Sequence, residues 1–286
     1  MNKVKTIIRI CKYQLKIHIR LKRVWMGYLL GFAIIIKYVA GYWQYANELG
    51  ANVNILEAFV VGANDYNAVL LLTLGWFLVI ADAPFINQNA MYILCRTDKR
   101  TWNAAMMLYV ICQAGIYYGT MAAGTVLMSV PVGYWANIWS RPMIYLTKEI
   151  GNPVSFSVSF AYPDLIKTVS IFRAFGYTWL LTLLYGVILA AFLYMFSLIM
   201  RRIAGITVAL AVHFLGYEIM QEGFMLNIQY SLLARSILVF QMDSKRGATL
   251  AGTIALYMGL LLMMYIISMK VVYFYEDREI TEREEL

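Results

Sequence analysis

The sequence predicts an all-α integral membrane protein, and three observations carry that expectation. Hydrophobic residues make up 62% of the 286-residue chain and charged residues 14%, against about half and about a quarter in soluble domains. The apolar residues gather in stretches of roughly 17–25, the length that crosses a bilayer as a helix. These stretches show little period-two alternation, which separates them from barrel strands.

The chain opens on a basic arm, residues 1–23. At about 100° per residue, Lys5, Arg9, Lys12, Lys16 and Arg20 fall on one face, and Val4, Ile7, Ile8, Cys11 and Leu15 on another. This pattern predicts an amphipathic helix lying in the membrane interface. The arm is not expected to be a typical secretory signal, because its basic region is too long and no small-residue cleavage site follows the apolar run. Six spans are expected, at about 24–41, 66–83, 104–132, 174–200, 203–221 and 250–273, followed by a tail over 274–286. Together they make a single transmembrane domain. Between the third and fourth spans, Trp135, Trp139, Tyr145 and Tyr162 suit the headgroup level. Residues 222–249 are apolar but broken by Asn227, Gln229 and Arg235, so short re-entrant helices fit better than a seventh span.

Orientation follows from Lys and Arg. Sixteen of them fall on the side of the N-terminal arm and seven on the other, and the 42–65 loop has none. Both termini are therefore expected in the cytoplasm, with the chain in the cell membrane as a multi-pass protein. The net charge of +8 is explained by this bias and by anionic lipid, so no nucleic acid is expected as a partner.

Chemistry is bounded mainly by what the sequence lacks. No G-x-x-x-x-G-K-[ST] is present, so the chain has no P-loop of its own. H-E-x-x-H, G-x-S-x-G and metal-spaced His/Cys clusters are also absent, and Cys11, Cys95 and Cys112 have no paired spacing. The expectation is no catalytic residue, no metal and no cofactor in this chain. Polar residues inside spans are Lys37, Asp82, Gln113, His213 and Glu218. Lys37 and Asp82 sit near span ends. Gln113, His213, Glu218 and Glu222 are candidates for a pathway. Gly115, Gly119 and Ala123 form a small-residue stripe suited to helix packing, within the chain or across a dimer.

One segment carries a resemblance. FINQNAMYILCRTDKRTWNAAMML places a short helix ending in an apolar pair before a turn, after which a basic residue starts the next span. In that respect, and in the order of its features, the chain resembles the membrane subunit of type-2 ABC exporters. Gln88, Asn89 and Ala90 stand where that family often has an acidic residue and a glycine, and Thr97 where it often has proline. The resemblance implies a separate ATPase dimer that binds ATP and Mg, docked on a coupling helix. Tyr92, Ile93, Leu94, Arg96, Thr97, Lys99 and Arg100 would make that contact. It also implies that six spans form half a pathway, completed by a second copy or a sister permease. An amphipathic peptide or other lipophilic compound would be the substrate. Two other classes stay open: a proton-coupled secondary transporter using Glu218 or His213, and a non-transporting immunity or scaffold protein.

Overall fold

The computed structural model describes residues 3–83, 85, 93, 96–151, 153–160, 162–200, 202–220, 229–242 and 248–272. Among these residues nearly all regular structure is helical. The chain begins with α1 (Lys3–His18) and α2 (Lys22–Glu48). A two-residue strand β1 (Val53–Asn54) leads to α3 (Glu57–Ala63) and α4 (Tyr66–Ile80). After α5 (Lys99–Ser129), β2 (Gly133–Tyr134) pairs with β1 in parallel. Two short helices, α6 (Arg141–Leu146) and α7 (Pro163–Thr168), precede α8 (Ile171–Ile199) and α9 (Arg202–Glu218). The five-residue helices α10 (Leu232–Ser236) and α11 (Leu238–Met242) lead to α12 (Leu250–Val271).

Several helix starts are written in the sequence. Asp65, Asp98, Ser140, Ser231 and Thr249 each stand just before a helix, and each side chain accepts from a first-turn backbone N–H. This satisfies donors that a helix otherwise leaves open.

Four helices, α2, α5, α8 and α12, are long and apolar enough to cross a membrane. The chain is therefore an all-α protein of multi-pass membrane type. α3 and α4 meet at an 87° bend and count as one further candidate. α4 and α9 have 15 and 17 residues, about 23 and 26 Å of helix against a hydrocarbon core of about 30 Å. Helix α2 runs on to Glu48, and α5 starts at Lys99 and stops at Ser129, so these two differ most from the expected spans.

α8 is the centre of the bundle. It packs against α3, α4, α5, α9, α10 and α12, and Leu181, Tyr185, Leu189, Leu193 and Tyr194 are buried along it. α12 lies at the periphery, with Leu256, Met258, Leu262, Met263 and Ile266 exposed. A face of that kind suits hydrocarbon, which solvates leucine as well as a protein core does. α2 and α4 touch through backbone: a Cβ on Gly27 would stand 2.6 Å from the Gly75 carbonyl oxygen. Past the exposed Tyr230, the segment 231–242 is mostly buried. Leu233, Ala234, Ile237 and Leu238 are buried, and Asn64 at the α3–α4 bend accepts from Val239 N–H at 3.1 Å.

α1 has three faces. Thr6, Ile10, Cys11, Gln14 and His18 are buried, and the helix packs chiefly on α5. Lys5, Arg9, Lys12, Lys16 and Arg20 are exposed on a second face. Val4, Ile8 and Ile19 are also exposed, on the flank between the two. Trp25 Nε1 donates to the Ile19 carbonyl at 2.9 Å, so this apolar flank continues into the exposed Trp25 and Met26 of α2. The sequence reading placed Val4, Ile8 and Leu15 on one apolar face with Ile7 and Cys11. In the fold that face divides, because α5 covers only part of it.

Candidate functional site

The densest polar constellation among the described residues is built on Asp82, just past the end of α4. Arg23 grips it with both terminal nitrogens, Nη1 to Oδ1 at 2.7 Å and Nη2 to Oδ2. Arg202 Nη2 reaches Oδ1 at 2.6 Å, and Arg202 Nε donates to the Ala81 carbonyl at 2.9 Å. His18 Nε2 lies 3.6 Å from Oδ2, and its Nδ1 pairs with the Tyr109 hydroxyl. One carboxylate thus joins α1, α2, α4, α5 and α9. Burial alone would raise its pKa. The two hydrogen bonds from Arg23 and the charges of Arg23 and Arg202 outweigh burial and hold the carboxyl well below the usual carboxylate range. Sequence reading placed Asp82 at a span end and named none of these partners. The available signal was that Asp82 is the lone acid between Asp65 and Asp98, with Arg23 and Arg202 flanking spans on the same side.

The basic turn after this region is braced. The Ile93 carbonyl accepts from Arg96 N–H at 3.1 Å and from the Thr97 hydroxyl at 2.6 Å. Asp98 then caps α5, taking Thr101 N–H at 3.2 Å and the Thr101 hydroxyl at 2.6 Å. Arg96 and Arg100 are exposed, while Ile93, Thr97 and Lys99 are half-buried. Tyr92 and Leu94, expected beside them, lie outside the described residues.

Of the expected pathway residues that are described, Gln113 lies in α5, and His213 and Glu218 lie on different sides of α9. Gln113 is buried in α5. His213 is buried in α9 with both ring nitrogens engaged, Nδ1 with the Tyr185 hydroxyl at 2.7 Å and Nε2 with the Leu70 carbonyl at 3.1 Å. A histidine so paired serves as a crosspiece between helices α4, α8 and α9. Glu218 is exposed at the end of α9, on a different side from His213. Glu222 lies outside the described residues.

The small-residue stripe is not an internal packing seam either. Nothing stands within 4 Å of a Cβ placed on Gly119, Gly115 meets only Leu183 at 4.0 Å, and Ala123 is exposed. The side of α5 that packs inward carries Tyr117, Tyr118 and Met121 instead, all fully buried.

At the opposite end of the bundle stands a carboxylate the sequence reading passed over. Glu57 is fully buried and has four donors: Ser140 N–H at 2.6 Å, Ser140 hydroxyl at 2.6 Å, Tyr42 hydroxyl at 2.8 Å and Asn54 N–H at 2.9 Å. It ties α3 to α2 and to the start of α6. Its signal was a single acid inside the apolar run Ile55–Val61, in a loop with no Lys or Arg.

Comparison with protein-family models finds no match, nor does comparison with curated proteins or with solved structures. The four long apolar helices define a class, that of helical multi-pass membrane proteins.

Proposed function

We propose that this chain is the permease subunit of an ATP-driven exporter of the type-2 ABC kind. In this reading α2, α4, α5, α8, α9 and α12 supply six spans, with flanking segments completing the crossings of α4 and α9. Both termini are cytoplasmic. Two copies, or one copy and a sister subunit, enclose the pathway. ATP and Mg are bound by a separate ATPase dimer, and the substrate is an amphipathic peptide or other lipophilic compound. The chain itself acts as a transport subunit in the cell membrane and not as an enzyme.

The observation that supports this reading is the braced turn at 93–101. A surface that receives force from a partner must be both exposed and stiff. Here the exposed Arg96 and Arg100 flank a turn held by Ile93, Thr97, Asp98 and Thr101, at the foot of a 31-residue helix. Motion delivered there is carried along α5 as a rigid rod, and ATP binding would act by favouring one arrangement of the spans over another. The paired nitrogens of His213 and the outward position of Glu218 give the proton-coupled alternative no comparable support.

The test is a search of the neighbouring reading frames for an ATPase with a P-loop, then co-expression with it, purification and reconstitution. The expected result is a stable complex whose ATPase rate and transport fall together in Arg96→Glu/Arg100→Glu, while membrane insertion is unchanged. Unaltered transport and ATPase stimulation in that variant would reject the docking role of the turn.

A further inference from the structure

The contact between α4 and α9 differs from the other helix pairs of the bundle. α9 packs along α8 at close range: a Cβ on Gly205 would stand 2.6 Å from the Leu193 carbonyl oxygen. Against α4 it makes far fewer contacts, and polar bonds hold the two at both ends. At one end the Tyr217 hydroxyl donates to Asn67 Oδ1 at 2.9 Å and His213 reaches the Leu70 carbonyl. At the basic end Arg202 clasps Asp82 and the Ala81 carbonyl. Much of α9 between them is exposed or half-buried, with Gly205, Ala209, His213 and Gly216 its buried residues.

The two arginines on Asp82 are not equivalent. Arg23 holds both carboxylate oxygens and its side chain is 24% exposed. Arg202 shares one oxygen and is 53% exposed. An ion pair that far into solvent is weak and exchangeable. If Arg202 leaves, Asp82 keeps Arg23 and His18, so no buried charge is stranded.

We infer that the α4–α9 seam is a lateral gate to the leaflet at the basic end, latched by Arg202–Asp82 and opened by an anionic amphiphile whose headgroup takes Arg202 from Asp82. The guanidinium fork that grips a carboxylate grips a phosphate equally well. The apolar flank of such a ligand would enter between helices that already expose apolar side chains, Leu71 on α4 and Ile203 on α9. This inference rests on the transport reading for its purpose, but its geometry is testable without transport.

Spin labels at Lys22→Cys and Ile203→Cys, both exposed sites, report the opening by pulsed electron resonance after Cys11, Cys95 and Cys112 are replaced by Ala. Lys22 reports the α2–α4 unit, because those helices are locked by Gly27 and Gly75. In phosphatidylcholine nanodiscs one short, narrow distance is expected. Phosphatidylglycerol should add a population longer by several ångström. Arg202→Ala should show the longer population in both lipids, and Arg202→Lys should return toward the parent. Arg202→Ala is chosen because a half-exposed side chain can be lost without unfolding, which circular dichroism checks. Identical distances in the parent and Arg202→Ala would overturn the latch. No response of the parent to phosphatidylglycerol, or an equal response in Arg202→Ala, would overturn the anionic opener. A gate that opens as stated with no ATPase partner found would fail the exporter reading and leave the gate standing.

Discussion

Glu57 and Asp82 show two ways a carboxylate survives inside a greasy chain. Asp82 is neutralised by cations, whereas Glu57 is held by donors without any cation among its hydrogen-bond partners. Replacing Glu57 by Gln turns an acceptor into an N–H2 group facing donors. Such a buried mismatch costs about 3 kcal/mol, so Glu57→Gln should unfold several degrees earlier in detergent when followed by circular dichroism. Glu57→Asp, which keeps the charge but shortens the reach, should lose less. Equal melting of Glu57→Gln and the parent would mean that the four bonds contribute nothing. The same logic explains why Glu57 escaped the sequence reading. A lone acid in an apolar run has the same appearance whether it is buried or looped out, and only Ser140, 83 positions away, decides between them.

At the scale of elements, α1 is the most informative. Its basic stripe is legible from spacing alone, since Lys5, Arg9, Lys12, Lys16 and Arg20 recur at three- and four-residue intervals. Its buried face is not, because Thr6, Gln14 and His18 are polar. They become an inner face only once α5 lies against them. That packing makes a prediction about chemistry. Burial, with the adjoining Cys112 thiol, pushes the Cys11 thiol up to about 12. Thiolate is the reactive form, so folding should suppress it by on the order of a thousandfold relative to a free cysteine. Maleimide at pH 7.5 should leave Cys11 unmodified in the native protein and label it promptly in denaturant, as mass spectrometry of the peptide would report. Rapid native labelling would place α1 off α5. Helix packing shows the opposite limit of spacing arguments. The Gly115/Gly119/Ala123 stripe has the spacing for close contact, but the glycines that bring helices together include Gly27 and Gly75 between α2 and α4 and Gly205 between α8 and α9. The repeat GYLLG, with Gly27 and Gly31 four apart, was the available signal.

Across the whole molecule, Asp82 gives the fold a defined acid limit. Its carboxyl is held below the usual range when folded, so the unfolded chain takes up its proton first as pH falls. Its stabilising contribution is complete above the unfolded value of about 4 and is lost as pH drops through the lower folded value. Thermal unfolding followed from pH 7 to pH 3 should therefore show a plateau and then a fall below about pH 4. In Asp82→Asn the plateau should be lower and that part of the fall absent. A decline beginning near neutrality and shared by both proteins would assign the acid sensitivity elsewhere. Five elements meet at this one side chain, so its loss should also loosen α1, α2 and α9 together, visible as faster amide exchange at their basic ends.

The sequence by itself determined the solvent and the secondary structure of this protein. An apolar excess confined to helix-length runs has no stable place but lipid, and a chain in lipid must satisfy its backbone within each segment, so helices follow. Cap residues such as Asp65, Asp98 and Thr249 mark helix starts because capping is local and lies within four residues of the donor it serves. Tertiary structure alone decided which polar residues matter. Asp82 meets Arg202 across 120 positions and Glu57 meets Ser140 across 83. No pattern of period or spacing encodes such a meeting, since each depends on where α8 and its neighbours bring the helix ends. His213, Glu218 and the glycine stripe were conspicuous in the sequence for their residue types. Their roles were set by direction, and direction is settled only when the helices pack.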